Sequence, residues 1–412
     1  MSADPNGSGR RRGLNRVLFV LGLALAFNAA YLAAYATPDL FYVANALLHP
    51  FLGLLAAILC IVYLNRHREY ISGFSGWISI VCLAVAAGFG VYLFFAGMTV
   101  SHSLALYLHV GFSIAGLFFL LVRLRGWVRG RGEIQLARHP WQVAGAGFVA
   151  ALIFYGVVAA YHQFFPNPEY MIKNPPTAPV SMYQEGGGKN SLMWPNSAET
   201  ADGKTIPNQF FMNSETCQPC HKDIYSQWQH SMHHFSSFNN QWYRKSIEYM
   251  QDTIGIKPSM WCAGCHDHAV VFTDMMQKHP VRQIEFTPEG QAGLGCMSCH
   301  AIAHVTSTMG NGSYVMKYPQ LDRLVASKNP LMRYIANFSI LLNPKPHRAV
   351  FLKPFHREHQ YVAEFCSSCH KVHLDVPVDH YRWLRGFNDY DNWQGSGVSG
   401  NSAHSFYYPP KP

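Results

Sequence analysis

The chain is poor in charge: only 13% of its 412 residues are Asp, Glu, Lys or Arg, whereas 49% are hydrophobic. So few charges exclude a single soluble domain over the whole length. Residues 1–162 contain no lysine and hold 11 of the 32 basic residues as arginines, in short clusters between apolar runs. Nucleic-acid binding needs a continuous basic face, so we expect no nucleic acid partner. An aromatic content of 14% excludes intrinsic disorder, and the chain length excludes a disulfide-stapled miniprotein.

Five apolar runs are long enough to cross a bilayer as helices. They cover about residues 17–36, 40–64, 74–96, 102–122 and 142–161. All arginines of this region lie on one side of the spans, and the positive-inside rule makes that side cytoplasmic. An odd number of spans then places everything after residue 162 on the opposite side, which is the periplasm in a bacterium. The sequence thus predicts a multi-pass protein of the bacterial inner (cytoplasmic) membrane with a cytoplasmic N-terminus. A cleaved signal peptide in place of the first span is the alternative, and it would leave this placement unchanged.

Composition divides the chain into three parts. Residues 1–162 form the predicted five-span transmembrane domain, which the lipid bilayer would surround. Residues 163–214 are rich in Pro and Gly, so we expect an extended linker. Residues 215–412 contain short, weak helical segments between loops rich in Gly, Asn and Pro. The predicted fold class is an α-helical membrane anchor followed by a mainly α, loop-rich periplasmic domain.

Eight of the ten cysteines occur in four copies of C-x-x-C-H. The copies are Cys217, Cys220 and His221; Cys262, Cys265 and His266; Cys296, Cys299 and His300; and Cys366, Cys369 and His370. Two thiols three positions apart on a turn reach two vinyl groups of one porphyrin, and the next imidazole is the proximal ligand of the iron. Zinc ribbons pair C-x-x-C units across about 15 to 20 residues, whereas these motifs begin at least 34 residues apart. The sequence therefore predicts a tetrahaem cytochrome c domain with four covalently bound c haems.

Each haem iron needs a second axial ligand, and 12 further histidines after residue 162 can supply it. This abundance favours bis-histidine ligation, which gives lower potentials than methionine ligation. The distal candidates are His233, His304, His347 and His356, with His359 as a weaker competitor of His356. His268, His304 and His373 follow a proximal histidine so closely that they would have to ligate a neighbouring haem. For each of these residues, a surface or hydrogen-bonded histidine is the alternative.

The residues after the first motif resemble those of a known family. They are Cys217, Cys220, His221, Tyr225, Trp228, Ser231 and His233, in the pattern C-x-x-C-H-x-x-x-Y-x-x-W-x-x-S-x-H. This pattern resembles the first haem segment of multihaem cytochromes related to the tetrahaem cytochrome c of ammonia oxidisers. In that family the histidine of W-x-x-S-x-H commonly ligates a neighbouring haem, which implies this role for His233.

Two later segments extend the resemblance over roughly residues 214–412. The run from Gly295 to His304 is similar to the G-C-x-x-C-H…H segment of that family. The run from Pro346 to Pro409 looks like membrane-anchored relatives of unassigned role. The five-span anchor is not part of the family pattern.

Two histidines lie inside the predicted spans at similar depth. At about 1.5 Å per helical residue, His49 lies about 13 Å and His109 about 10 Å below the periplasmic surface. Two histidines on different helices suit a bis-histidine b haem; a quinol site and a purely structural hydrogen-bonded pair are the alternatives. His102 and His162, at the periplasmic surface, are candidate axial ligands of a c haem. The two cysteines outside the motifs, Cys60 and Cys82, lie inside spans two and three.

These features predict an electron carrier without catalytic residues. Electrons would move between the membrane and the periplasm. The partner in the membrane would be a quinol pool or a respiratory or photosynthetic complex. The partner in the periplasm would be an electron carrier or other cytochromes. The competing hypothesis is a multihaem reductase or oxidase of small nitrogen or sulfur compounds, which needs an open iron position. Some nitrite reductases of this superfamily mark that haem with C-x-x-C-K, and all four motifs here end in His. A subunit that anchors haems inside a larger assembly is a third hypothesis, close to the first.

Overall fold

The computed structural model describes residues 5–66, 73–130, 138–165, 167–325, 327–356 and 362–399. The chain divides into two compact units. The first, which we call the helical unit, comprises Met1–Pro166 and Gln320–Ala349. The second, the motif unit, comprises Asn167–Pro319 and Val350–Pro412. A segment from the second half of the sequence therefore belongs with the N-terminal helices.

Five long helices build most of the helical unit. They are α1 (Pro5–Ala34), α2 (Leu40–Arg66), α3 (Phe74–Ala96), α4 (Ser103–Gly130) and α5 (Arg138–Phe164). Each contains a stretch long and apolar enough to cross a membrane, which confirms the five predicted apolar helices and is consistent with a helical anchor. Three of them, α1, α4 and α5, extend well beyond the apolar runs into their arginine-bearing ends, because arginine is itself a good helix former.

Small residues let α3 and α4 pack closely. A Cβ at Gly116 of α4 would lie only 2.7 Å from Cγ of Leu83 on α3. The Ser79 hydroxyl donates a hydrogen bond to the Gly116 carbonyl oxygen at 2.9 Å. Helices in membranes associate through such small residues and polar contacts. Large apolar side chains such as Phe51 and Phe95 stay exposed on the outside of the helices, as insertion into a membrane requires.

The first part of the motif unit consists of short elements. Its helices are α6 (Asn208–Phe211), α7 (Lys222–Gln229), α8 (Gln241–Ile254), α9 (Ile256–His266), α10 (His268–Val271), α11 (Met275–Lys278), α12 (Val281–Ile284) and α13 (Cys296–His300). Its strands are β1 (Glu199–Thr200), β2 (Ile302–Val305) and β3 (Tyr314–Met316). They form one sheet in the order β1-β3-β2, with β1 parallel and β2 antiparallel to β3.

The stretch predicted to be an extended linker is packed into the motif unit. It contains β1, α6 and three single-turn 3-10 helices (Pro168–Tyr170, Met182–Gln184 and Gly188–Asn190). Met193 and Ala198 belong to the same buried cluster as Phe238 and Phe272. The Asn196 side chain accepts from the Ala198 N–H at 2.8 Å and donates to the Trp261 carbonyl at 2.9 Å. Side-chain hydrogen bonds thus take the place of regular secondary structure here.

The segment Gln320–Ala349 carries α14 (Gln320–Val325), α15 (Pro330–Leu342) and the start of α16 (Lys345–Phe351). Asn329 caps α15 by accepting from two backbone N–H groups, and Pro330 occupies its first turn. This helix packs against α2 and α3. The Phe338 ring lies 5.3 Å from that of Phe94, and the Met98 N–H donates to the Leu341 carbonyl at 2.9 Å.

Polar contacts hold the end of α15 to α1 and α2. The Asn343 amide donates to the hydroxyl of fully buried Tyr42 at 3.1 Å, and this hydroxyl donates to the Leu32 carbonyl at 2.9 Å. The Lys345 ammonium donates to the carbonyls of Leu32 and Ala33, both at 2.7 Å. A cation at the C-terminal carbonyls of α1 also interacts favourably with the helix dipole.

The last part of the motif unit contains α17 (Val362–Ser367), β4 (Lys371–Leu374), α18 (Val376–Asp379), β5 (Leu384–Asn388) and α19 (Asp389–Gln394). Strands β4 and β5 pair antiparallel, with His373 opposite Arg385. Because β5 runs back along β4, α19 lies next to β4, which directly follows the fourth C-x-x-C-H motif.

Candidate functional site

A helical turn shapes each C-x-x-C-H motif. The second motif ends α9, and the third motif is α13 itself. In the first and fourth motifs the histidine N–H donates to the carbonyl of the leading cysteine at 2.9 Å, as His221 does to Cys217 and His370 to Cys366. Such a turn gathers two thiols and one imidazole within a single short segment, as a covalently attached porphyrin requires.

The four motifs lie next to one another inside the motif unit. The Cys217 thiol is hydrogen-bonded to that of Cys296, so the first motif adjoins the third. The Cys265 thiol is likewise bonded to that of Cys369, so the second motif adjoins the fourth. Burial, and then the nearby thiols led by Cys366, raise the pKa of Cys299 to about 11. Segments up to 150 residues apart in sequence thus converge on one site.

Three of the predicted proximal histidines have the same hydrogen-bond arrangement. Nδ1 of His266 lies 2.9 Å from the Ser236 carbonyl oxygen, and Nδ1 of His300 lies 2.5 Å from that of Phe351. Because a carbonyl only accepts, each Nδ1 carries the proton and each Nε2 keeps a lone pair. Nδ1 of His370 faces the Asp389 carboxylate at 3.3 Å. Metal-ligating histidines typically have such partners, so these residues fit a haem iron.

His233 lies opposite the proximal histidine of the fourth motif. Its ring centroid is 6.2 Å from that of His370, and the two ring planes are nearly perpendicular at 87°. Because metal–imidazole bonds are about 2 Å long, two imidazoles on opposite sides of one iron have centroids roughly 6 Å apart. Burial, and then the charge of His370, lower the pKa of His233 and favour its neutral form.

A glycine allows the loop that carries His233 to approach the third motif. Gly293 has φ 64°, and a Cβ there would lie 1.9 Å from the His234 carbonyl oxygen. The next residue, Leu294, donates its N–H to the His233 carbonyl at 2.8 Å. The Trp228 indole donates to the Leu294 carbonyl at 2.7 Å. Only glycine fits such a close approach of two backbones.

His304 has one ring nitrogen engaged and the other available. Its Nδ1 faces the Glu169 carbonyl, so Nε2 keeps the lone pair that a metal needs. The residue lies in β2, directly after α13. This arrangement is compatible with the predicted distal role, but the described contacts assign it no partner iron.

His356 is close to His300 but does not oppose it at a ligating separation. The two ring centroids are only 4.7 Å apart, at an angle of 37°. Nδ1 of His356 accepts from the Lys353 N–H at 3.1 Å, so its proton is on Nε2, which faces the Cys299 carbonyl at 3.3 Å. Burial, and then the His300 charge, lower the pKa of His356 to about 4.

Two distal candidates remain. His347 is in α16, within the part of that helix that belongs to the helical unit. His359 lies outside the described residues. Their distal roles stay predictions.

His268 and His373 are buried, with Nε2 already hydrogen-bonded. Nε2 of His268 lies 3.0 Å from the Gly264 carbonyl and 2.9 Å from the Tyr314 hydroxyl. Burial lowers the pKa of His268 to about 4, so it is neutral near pH 7. Nε2 of His373 lies 2.5 Å from a carboxylate oxygen of Glu185. These contacts favour a structural role, the alternative that the sequence left open.

Sequence reasoning missed the groups that orient the proximal histidines. The acceptor for His370 is Asp389, 19 residues further along the chain. The acceptors for His266 and His300 are main-chain carbonyls, which no side-chain pattern can reveal. The only local signal was the position of Asp389 at the start of a short helix.

In the helical unit, His49 and His109 face each other. Their ring centroids are 6.3 Å apart and the ring planes make an angle of 81°. Of the other two histidines in this unit singled out above, His102 has Nδ1 3.1 Å from the Gly97 carbonyl, and the His162 ring packs edge-on against Tyr35 at 5.9 Å. Cys60 is exposed on α2 and Cys82 is half-buried in α3.

Comparison with known proteins supports the reading of the motifs. Residues 216–301 match the family model of cytochrome c554 and c-prime. The matched stretch contains the first three C-x-x-C-H motifs and His233. It supports a c-type cytochrome in the C-terminal half of the chain, with covalently bound haem c and a role in electron transport. No curated protein and no solved structure matches the chain.

Proposed function

We propose that this chain is a membrane-anchored tetrahaem cytochrome c that transfers electrons between the membrane and periplasmic acceptors. The observation that carries the proposal is the convergence of all four attachment motifs in one compact unit. The contacts of Cys217 with Cys296 and of Cys265 with Cys369 make neighbours of motifs that are distant in sequence. Closely spaced redox centres are what electron transfer over a distance needs.

The residues of each motif have separate tasks. The two cysteines would attach the porphyrin, and the following histidine would ligate the iron through Nε2. A bound haem iron supplies reversible one-electron chemistry. The chain would position the haems and tune their potentials. The carbonyls of Ser236 and Phe351 and the carboxylate of Asp389 orient three proximal imidazoles through Nδ1.

Axial ligation by two histidines is the second part of the proposal. His233 and His370 are already at a separation that suits one iron between them. His304 is oriented through Nδ1 and would ligate another iron through Nε2, and His347, His356 and His359 remain candidates for the others. Bis-histidine ligation would keep the potentials low.

The membrane placement completes the proposal. The arginine distribution favours a cytoplasmic N-terminus and a periplasmic motif unit in the inner membrane of a bacterium. The quinol pool or a membrane redox complex is then the electron partner on one side, and a periplasmic carrier or another cytochrome is the partner on the other. The bilayer itself is the partner of the five long apolar helices.

One observation favours a second candidate function. His356 lies too close to His300 to ligate the same iron from the opposite side. If the third haem has no distal protein ligand, its iron has an open position for a small nitrogen or sulfur compound. The chain would then be a multihaem reductase or oxidase.

Haem quantification and spectroscopy on the detergent-purified full chain test both functions. We expect four covalently bound haems per chain and low-spin, bis-histidine signals in electron paramagnetic resonance (EPR). Fewer than four covalent haems would contradict the tetrahaem proposal. A high-spin signal that shifts on addition of nitrite, hydroxylamine or sulfite would instead favour the enzyme.

A further inference from the structure

A chain of side-chain amides determines the protonation of His49. It starts at the Phe41 carbonyl, which only accepts and therefore faces the NH2 group of Asn45, at 2.9 Å. The Asn45 side-chain oxygen then accepts from the Asn28 NH2 group at 3.0 Å. The Asn28 oxygen is left to face Nδ1 of His49, at 2.9 Å. Nδ1 of His49 must donate, so in the neutral imidazole Nε2 keeps the lone pair.

His109 reaches the same state through a backbone carbonyl. Its Nδ1 lies 2.8 Å from the Ala86 carbonyl oxygen of α3. A carbonyl cannot donate, so Nδ1 carries the proton and Nε2 keeps its lone pair. Gly90 makes this approach possible, because a Cβ there would lie 3.0 Å from the His109 ring. Two helices thus present two imidazoles, each oriented through Nδ1 in the way that metal ligands are.

The separation of the two rings is that of ligands on opposite sides of one metal. The centroid distance of 6.3 Å agrees with the roughly 6 Å expected for two metal–imidazole bonds of about 2 Å. The His233–His370 pair of the motif unit has nearly the same distance, 6.2 Å, and a similarly steep angle between its ring planes. By contrast, the His300 and His356 rings, inclined at 37°, lie only 4.7 Å apart.

Two protein ligands are too few for a bare metal ion but enough for a haem. Zinc sites in proteins take three or four protein ligands, and no group of three or more His, Cys, Asp or Glu side chains that could hold a metal occurs in the described part of the chain. A porphyrin supplies four nitrogens of its own, so two axial imidazoles complete the iron. Both imidazoles are partly buried among apolar helices, where a planar and largely apolar macrocycle is favoured.

Two glycines, one on α2 and one on α3, face open space. Gly53 follows His49 by one helical turn, and a Cβ at Gly53 would meet nothing within 4 Å. The same is true of Gly88, two residues from Ala86. An open apolar groove runs along α3 beside this position, lined by Val85, Gly88, Phe89 and Tyr92.

We infer that His49 and His109 are the axial ligands of one non-covalently bound b haem in the helical unit, with Asn28 as a positioning residue. The inference goes beyond the proposed function and does not depend on it, since no C-x-x-C-H motif takes part. A quinol bound between the two rings is the competing occupant. It would hydrogen-bond to the imidazoles but would leave no haem in an extract.

Acid-acetone extraction of the detergent-purified full chain tests the inference, because it removes b haem and leaves c haem covalently attached. We expect one extractable haem per chain in the wild type. We expect its loss in His49→Ala and in His109→Ala, with the covalent haem content unchanged. His102→Ala is the matched control, a histidine of the same unit outside the pair, and should keep the extractable haem. Adding imidazole to the two Ala variants should restore binding in part.

Two further measurements address orientation. The near-perpendicular ring planes predict a highly anisotropic low-spin EPR signal that disappears with the extractable haem. Asn28→Leu removes the acceptor for His49 Nδ1, so the midpoint potential of the b haem should rise while the covalent haems keep theirs. A wild type without extractable haem, or His49→Ala and His109→Ala variants that both retain it, would overturn the inference. Neither result would alter the count of covalent haems on which the proposed function depends.

Discussion

The helical unit and the motif unit bring two imidazoles to almost the same separation, 6.3 Å and 6.2 Å, by different means. In the motif unit, His370 is the last residue of a C-x-x-C-H motif, and its N–H donates a hydrogen bond to the Cys366 carbonyl. In the helical unit, His49 and His109 have no motif around them, and groups on the neighbouring helices α1 and α3 orient each ring. The same separation of two imidazoles can therefore occur beside a local cysteine motif or result from helix packing alone.

Removing the thiols of one motif should have the largest effect. In a Cys366→Ser, Cys369→Ser double variant we expect one of the four covalent haems to be lost, because no thioether can form at that motif. Intact-mass spectrometry of the purified chain measures the loss as one haem mass per chain. A Cys60→Ser, Cys82→Ser variant is the control from the helical unit and should keep the full covalent haem content. An unchanged mass in the first variant would contradict the comparison, because the motif cysteines would then bind no more covalent haem than Cys60 and Cys82.

Replacing His233 should alter one haem without removing it. In His233→Ala we expect the full number of covalent haems, with one of them converted from low spin to high spin because its distal imidazole is gone. EPR spectroscopy measures the change. The adjacent His234 is the matched control, since its Nδ1 faces the Gln229 carbonyl at 3.0 Å and its ring lies 4.4 Å from Trp228. Equal high-spin signals from His233→Ala and His234→Ala would argue against the His233–His370 pair.

Asp322 should make the stability of the helical unit depend on pH. The residue is 9% exposed, and burial raises the pKa of Asp322 from 3.8 to about 6. Between these values the folded state binds more protons than the unfolded state, so the free energy of unfolding falls as the pH rises from about 4 to 6.

The Asp322→Asn variant removes this dependence. We expect it to match the wild type near pH 4 and to be more stable by about 2 kcal/mol near pH 7. Thermal unfolding followed by circular dichroism at both pH values measures the difference. A difference that is the same at both pH values would show that the carboxyl does not titrate in this way.

Tyr42 should have the smallest effect of the four. Tyr42→Phe removes a buried hydroxyl that bonds to Leu32 and Asn343, at a cost of about 1 kcal/mol. Local opening should then expose the amides of α15 about fivefold more often, which hydrogen exchange measures. Tyr107→Phe, at a side chain that is 71% exposed on α4, is the control. Equal exchange in both variants would show that Tyr42 does not hold α15 against the long helices.

The sequence predicted the long helices well, because an apolar run of bilayer length is compatible with few other structures. It did not predict that α15 packs with them. This helix has only 13 residues, too few to cross a bilayer, and its position in the sequence is beyond the third motif. It belongs to the helical unit because Phe338, Leu341 and Asn343 contact α2, α3 or the turn that follows α3. Composition does not reveal such contacts.

The candidate site was predictable to the extent that its chemistry is local. Two thiols and an imidazole within five residues identify an attachment site, whatever surrounds it. The distal histidines were not predictable in this way, since a dozen were available. Among the candidates, the structure pairs His233 with His370 and shows that His356 is too close to His300.

The sequence by itself determined the five apolar helices and the four C-x-x-C-H motifs with the histidine that ends each, because each depends on residues that are neighbours along the chain. Tertiary structure alone decided which imidazoles face each other and which carbonyl or amide orients each ring. The physical reason is that a ring separation near 6 Å depends on how distant segments pack, and periodicity describes the direction of a side chain only within its own helix or strand.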